Sequence, residues 1–256
     1  MNEKSMEGKV AIVTGGAMGI GKSAALRFAK EGAKVVIADI VEKEGLETTR
    51  EILDAGGEAI FIQLDVTDSS AVKRMIASTL EAFGRLDYAF NNVGINGEAG
   101  FTADCTEENF DRVIDVNLKS VWLCMKYEIP AMLKTGGGSI VNTASVAAVV
   151  AGPGLPAYSA SKGGVVMLTK TTAIEYAGKE NCIRVNAICP SLARTPMGER
   201  VYNAQPKLEQ ERLDKHPLGR MVEPEEVAAA AVWLCSGNAS FITGHIMMLD
   251  GGFSAQ

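Results

Sequence analysis

Tyr158 and Lys162 lie four positions apart in the segment Pro156-Ala-Tyr-Ser-Ala-Ser-Lys162, and Ser145 closes an apolar run upstream. On a helix that spacing is just over one turn, so a phenol and an ammonium share one face. A free phenol, with a pKa of about 10, is a poor base at neutral pH. A neighbouring ammonium favours its ionised form. A tyrosine tuned in this way takes a proton from an alcohol or gives one to a forming alkoxide. Tyr and Lys also meet at this spacing by chance, so the pair gains its weight from what surrounds it.

The next candidate is Thr14-Gly-Gly-Ala-Met-Gly-Ile-Gly21, which follows the apolar run at 10–13. Gly15, Gly19 and Gly21 keep the order G-x-x-x-G-x-G, a relative of the G-x-G-x-x-G dinucleotide fingerprint, with Met18 and Ile20 between them. Glycines let the backbone turn tightly and approach a pyrophosphate seated at the N-terminus of the following helix. Asp39 ends the second apolar run, where a carboxylate is placed to bind both ribose hydroxyls of an adenosine and to repel a 2′-phosphate. Ala17, Met18 and Ile40 offer no basic side chain there, and Lys22 is expected to face solvent, so the reading is NAD(H) over NADP(H). Without the glycine loop, Asp39 would be an ordinary turn residue. Asp65, followed by Val66, ends the third run and either accepts from an adenine amino group or caps a helix. Asn91-Asn92-Val93-Gly94 closes the fourth, and its glycine permits close approach to the backbone.

The elements that must hold these residues alternate along the chain. Strands are expected at 10–13, 34–38, 59–64, 86–90, 139–143, 184–188 and 246–249. Helices are expected over about 20–30, 43–55, 69–83, 157–177 and 224–236, with one or two more within 109–133. Continuous apolar strands alternating with helices predict an α/β fold, a single Rossmann-like domain over 1–256 with a doubly wound parallel seven-stranded sheet and helices on both faces. The stretch 190–217 is irregular and polar with a weak helical pattern, too long for an ordinary connection, and is expected to be a substrate-binding loop or lid.

Composition narrows the function classes. With 256 residues and 47% apolar content the chain builds a substantial core, and its net charge of -6 gives no basic footprint for nucleic acid. Residues 1–9 lack the apolar stretch of a secretory signal, and no apolar run is long enough to span a bilayer. The five cysteines are scattered and form no C-x-x-C pair, which predicts buried, reduced thiols and a cytoplasmic protein. His216 and His245 are far apart with no clustered acids, so no metal site is expected.

Together these residues resemble the short-chain dehydrogenases/reductases over nearly the full chain. The features that carry the likeness are 14–21, Asp39, Asp65, 91–94, Asn117, Ser145, Tyr158, Lys162, Pro190 and Thr195, in the family's order at the expected strand ends. The chain departs from the family at Val93, where Ala is usual, and at Ser191, where Gly usually follows the proline. The resemblance implies that Tyr158 is the general acid/base and that Lys162 holds its ammonium near the phenol and binds the nicotinamide ribose. It implies that Ser145 hydrogen-bonds the substrate oxygen, and that Asn117 holds a water linking Lys162 to a proton relay. Pro190, Ser191, Leu192 and Thr195 would position the nicotinamide carboxamide. Taken singly, Ser145 reads as a strand-end hydroxyl, Asn117 as a satisfied polar group and Thr195 as a helix cap.

The implied reaction is hydride transfer between NAD(H) and a secondary alcohol or its ketone. Pocket walls are expected after Gly94, at 146–155 and beyond Thr195, where Val146, Leu155, Met197 and Tyr202 are apolar and no basic cluster suggests a grip on a carboxylate or phosphate, Arg194 and Arg200 being the residues that could provide one. That favours a neutral, hydrophobic or alicyclic substrate. Bacterial-type relatives that oxidise cyclic alcohols and dihydrodiols look similar around Cys124-Met-Lys126 and His216-Pro-Leu-Gly-Arg220. The alternatives are a 3-oxoacyl-thioester reductase, a kind of enzyme that usually takes NADPH, and a catalytically silent nucleotide sensor or scaffold. The resemblance also implies a homotetramer built on the long helices and the C-terminal segment. The plainer reading packs those helices on the sheet and leaves 251–256 as a short surface tail.

Overall fold

The seven apolar runs pair in parallel in one sheet, in the order β3-β2-β1-β4-β5-β6-β7. The strands are β1 (Val10–Thr14), β2 (Lys34–Asp39), β3 (Ala59–Gln63), β4 (Tyr88–Asn91), β5 (Gly138–Thr143), β6 (Ile183–Pro190) and β7 (Ile246–Leu249). The structure, a computed structural model, describes residues 5–178, 180, 182–203 and 206–256, with side chains described at all of these except 200–203 and 206–209.

Successive strand residues point to opposite faces, so both faces of each inner strand must be apolar. Ala11 and Val13 of β1 join one core with Ala25 and Phe28 of α1 (Gly19–Lys30), Ile52 of α2 (Glu42–Asp54) and Val227 of α9 (Pro224–Cys235). Ile12 points the other way, into a core with Val72 and Met75 of α3 (Ser69–Phe83). The same core takes Val121 and Met132 from α5 (Ser120–Lys134) and Val165 from α6 (Pro156–Tyr176). The strand order turns back between β1 and β4, and in such sheets the crevice at that point, outside the strands' carboxyl ends, receives the ligand.

The ends of several elements differ from the sequence expectation by a residue or two, and three differences bear on the site. The helical stretch at 109–133 is two helices, α4 (Glu107–Ile114) and α5, joined by a π-helical turn at Asp115–Lys119 that carries Asn117. Strand β6 runs on to Pro190 because Cys189 and Pro190 pair with Met248 and Leu249. Within 190–217 the weak helical pattern becomes two short helices, α7 (Pro196–Asn203) and α8 (Pro206–Leu213). Each opens on a proline, whose fixed φ suits a first helical position, and each is too short and polar to show a clear apolar stripe.

The C-terminal segment, open in the sequence between an interface and a short surface tail, folds back on the body of the protein. The Asp250 carboxylate accepts from the backbone N–H of Gly252 and Ser254 and turns the chain back. The Phe253 ring then stacks on His216 at 4.9 Å, and the Gln256 amide donates to the Lys215 carbonyl. The thiols also divide: Cys124, Cys189 and Cys235 are buried, Cys105 is half-buried and Cys182 is exposed.

A buried carboxyl sits beneath the strand ends. Glu128 of α5 is fully buried and accepts from the Asn91 amide at 3.1 Å. Asn91 also donates to Asn142, which donates to Thr169, so β4, β5, α5 and α6 share one polar chain. Burial pushes the Glu128 carboxyl up from 4.5 to about 8. The folded protein therefore holds a proton there that the unfolded chain releases at lower pH. The associated stability is full below the ordinary value of 4.5 and is lost as pH rises towards about 8. Glu128→Gln, which stays neutral, should flatten this loss, which reaches about 1.4 kcal/mol per pH unit at its steepest. Urea unfolding of both proteins across that pH range checks it, and parallel stability curves would show that the carboxyl is not held neutral.

Candidate active site

Lys162 lies on α6, one turn after Tyr158, and its side chain is buried. Its ammonium donates to the Thr143 carbonyl, the last residue of β5, at 2.7 Å and lies 5.9 Å from the centre of the Tyr158 ring. The spacing in the sequence thus does bring the two onto one face. Burial lowers the ammonium from 10.5 to about 8, so it is still charged at neutral pH. Gly94, beyond the end of β4, makes room for it, since a Cβ there would lie 3.2 Å from Nζ and 3.4 Å from the Asn117 carbonyl oxygen.

Ser145 is buried just past β5 and opens the 3-10 turn Val146–Ala148. Its hydroxyl accepts from the Ala147 N–H and so keeps its own hydrogen to donate. Asn117 is engaged on both sides. Its oxygen accepts from the Ile95 N–H at 2.7 Å, and its amide donates to the Ile95 carbonyl and to Ser161. Ser161 in turn donates to the Tyr158 carbonyl at 2.7 Å. Asn117 therefore ties the segment after β4 to the first turns of α6. Thr143 and Ser161 were not singled out from the sequence, and their one signal was a hydroxyl at a strand end or beside Lys162.

The glycine loop has the shape its composition demands. Gly15 and Gly19 have φ of 65° and 54°, in the left-handed region. A Cβ on Gly21 would lie 1.9 Å from the Gly15 carbonyl oxygen, which no side chain could satisfy. Helix α1 starts at Gly19 with Met18 at its cap position and no side-chain cap, which leaves its first N–H groups to a ligand or solvent. Asp39 buttresses the loop, accepting from the Ala17 and Val41 N–H groups at 3.0 Å each. Ile40 beside it is 62% exposed, and Lys22 is turned away to Glu51. Asp65 accepts from the N–H and hydroxyl of Thr67, and Val66 next to it is buried.

The strand ends are laced together across the sheet's turning point. Thr14 accepts from the Asn92 N–H, the Asn92 amide reaches the Gly15 carbonyl at 3.5 Å, and Thr143 donates to Asn92. Val93 is half-buried and packs against the core below. On the far side, Ser191 donates its N–H to the Leu249 carbonyl, and the Leu192 carbonyl accepts from the Val222 N–H. Thr195 caps α7 through the Gly198 N–H, and its methyl would lie 3.4 Å from a Cβ on Gly19. The segment after Pro190 is thus folded over the glycine loop. Arg194 is paired with Glu223, while the side chains of Arg200 and Tyr202 lie outside the described residues.

These residues fit a dinucleotide. Gly15, Gly19 and Gly21 around the uncapped helix end carry no Cβ, a carboxylate stands at the end of β2, and a buried ammonium stands at the end of β5. Known proteins resemble this chain over nearly its full length. A family profile described as enoyl-(acyl carrier protein) reductase matches residues 15–254. The 2,5-dichloro-2,5-cyclohexadiene-1,4-diol dehydrogenase of Sphingobium indicum is 44% identical, over 98% of this chain and 98% of its own. The 3-oxoacyl-[acyl-carrier-protein] reductase of Thermotoga maritima is 41% identical, over 96% and 98%. The crystal structure of levodione reductase superposes with a TM-score of 0.93 at 35% identity, covering 98% of this chain and 99% of that one.

Gly21→Ala places a methyl against the Gly15 carbonyl and should weaken NADH binding at least about tenfold. Gly237→Ala, with nothing within 4 Å of the added carbon, is the control. Fluorescence titration with NADH checks both, and unchanged affinity in Gly21→Ala would remove the loop from the cofactor site.

Proposed function

The chain belongs to the short-chain dehydrogenase/reductase family, and from that premise we propose that it is an NAD(H)-dependent oxidoreductase interconverting a neutral alicyclic secondary alcohol and its ketone. The observation that carries the reading is the buried Lys162 ammonium, held by the Thr143 carbonyl beside the Tyr158 ring. Bound nicotinamide supplies or accepts the hydride. Tyr158 exchanges the proton with the substrate oxygen, and Lys162 favours the ionised phenol. Ser145, whose hydroxyl hydrogen is available, donates to the same oxygen and stabilises its developing charge. The Asn117 side chain is committed to Ile95 and Ser161, so it acts on α6 by position, and any water it holds binds elsewhere on the residue.

NAD is favoured over NADP because the Asp39 carboxylate at the end of β2 would repel a 2′-phosphate on the adenosine ribose, with Ile40 apolar and Lys22 committed to Glu51. Asp65 and Val66 are suited to flank the adenine. A neutral substrate is favoured because Arg194 is spent on Glu223 and the stretch after Ser145 is apolar. The Sphingobium relative acts on a cyclohexadiene diol, which fits. The Thermotoga relative, nearly as similar, keeps the oxoacyl-thioester reading in view, but Asp39 weighs against the NADPH that such enzymes usually take. The intact Ser145, Tyr158 and Lys162 set weighs against a silent sensor.

Trp122 of α5 is 44% exposed and Met167 of α6 is 60% exposed, so these helices do not turn all their apolar side chains to the sheet. That face supports a homotetramer joined through α5 and α6. Among the described residues no helix is long and apolar enough to cross a membrane. Five unpaired thiols support a reducing, cytoplasmic setting.

The deciding experiment is steady-state turnover of cyclohexanol and cyclohexanediols, with NAD against NADP, beside acetoacetyl-thioester reduction with NADH and NADPH. We expect turnover of the cyclic alcohols with NAD, and Tyr158→Phe should lose about a thousandfold or more while still binding NADH. Thioester reduction with NADPH alone would overturn the reading, as would substantial activity in Tyr158→Phe.

A further inference from the structure

Ser191 replaces the glycine usual in the family after the sixth strand, and the side chain it adds is in use. Its hydroxyl lies 2.6 Å from Nε2 of His216. The other ring nitrogen, Nδ1, lies 2.7 Å from the Arg212 carbonyl oxygen. A carbonyl only accepts, so Nδ1 carries the hydrogen, and in the neutral ring Nε2 accepts from Ser191. The ring is 6% exposed and stacks on Phe253 at an interplanar angle of 13°. Both nitrogens and one face of His216 are therefore committed, which fixes its orientation.

The connection joins two parts of the molecule that are distant in sequence. Ser191 begins the segment that runs from Pro190 to Thr195 and lies over Gly19. His216 stands where the chain returns to the body after α8, and the N–H of Leu218, two residues on, donates to the Gly251 carbonyl. The Ser191 backbone is already tied to Leu249. Losing its hydroxyl would leave that tie in place and free only the segment's position against the return of the chain.

We propose that His216 is a positioning residue: through Ser191 it sets the 190–195 segment so that this segment grips the nicotinamide half of the cofactor. The inference rests on the NAD(H) reading above. It confines the effect to one half of the dinucleotide, because the adenosine half is assigned to the glycine loop and Asp39.

The test compares Ser191→Ala, His216→Phe and the double variant with the wild type. His216→Phe keeps a ring to stack on Phe253 and loses both hydrogen bonds. Calorimetry measures the binding of NADH and of ADP-ribose, which lacks the nicotinamide. Each single change should weaken NADH about three- to tenfold, the double no more than the worse single, and ADP-ribose should stay within about twofold. His216→Gln, whose amide oxygen can accept from Ser191, should recover part of the loss. Equal weakening of both ligands would mean general loosening and overturn the proposal, as would additive effects or an unchanged Ser191→Ala. A wild type that binds neither ligand would overturn the cofactor reading itself; a wild type that binds both, with variants indistinguishable from it, would overturn only the role of His216.

Discussion

The structure depends on keeping one ammonium out of water at the edge of a parallel sheet. Lys162 reaches from α6 to donate to the Thr143 carbonyl at the end of β5. Desolvating a charge is costly unless it is hydrogen-bonded and paired. The partners here are a backbone carbonyl and the neighbouring Tyr158 ring, and the cost shows as a lowered Lys162 pKa. The glycine at 94 exists for the same reason, since a side chain there would press on the ammonium. Asn117 and Ser161 keep α6 in register with the segment after β4, so the phenol and the ammonium stay on the same line.

A second constraint comes from the opposite end of the cofactor site. Asp39 spends both oxygens on backbone N–H groups, which holds the glycine loop in shape before any ligand arrives. Each carboxylate oxygen has further lone pairs to offer a ribose. One residue thus shapes the loop and, in the function proposed above, disfavours a 2′-phosphate. Thr195 against Gly19 closes the crevice from above, so the loop and the segment after β6 meet over the sheet's turning point.

The placement of Tyr158 beside Lys162 and the shape of the glycine loop were legible in the sequence because they are written in short spacings. Tyr158 and Lys162 are one turn apart, the three glycines sit in one loop, and Asp39 ends an apolar run. The parallel sheet was legible for a related reason, since strands buried on both faces cannot alternate polar and apolar residues. What was not legible joins distant positions. Thr143 with Lys162, Ser161 with Asn117 and Glu128 with Asn91 have no local pattern and exist only because the strand ends converge. Ser191 was visible as a departure, but its partner His216 was not, because the intervening α7 and α8 are too short and polar to announce a return. The fold-back of the C-terminal residues was not legible for the same reason: their stacking partner lies on another segment.

The most direct measurement is a titration of the Lys162 amine by nuclear magnetic resonance, in protein carrying isotope-labelled lysine and no added cofactor. The account predicts one lysine that loses its proton near pH 8 and is missing from Lys162→Met. If the signal that disappears in Lys162→Met instead titrates near the ordinary 10.5, the ammonium is solvated, and the buried charge on which the site is built is not there.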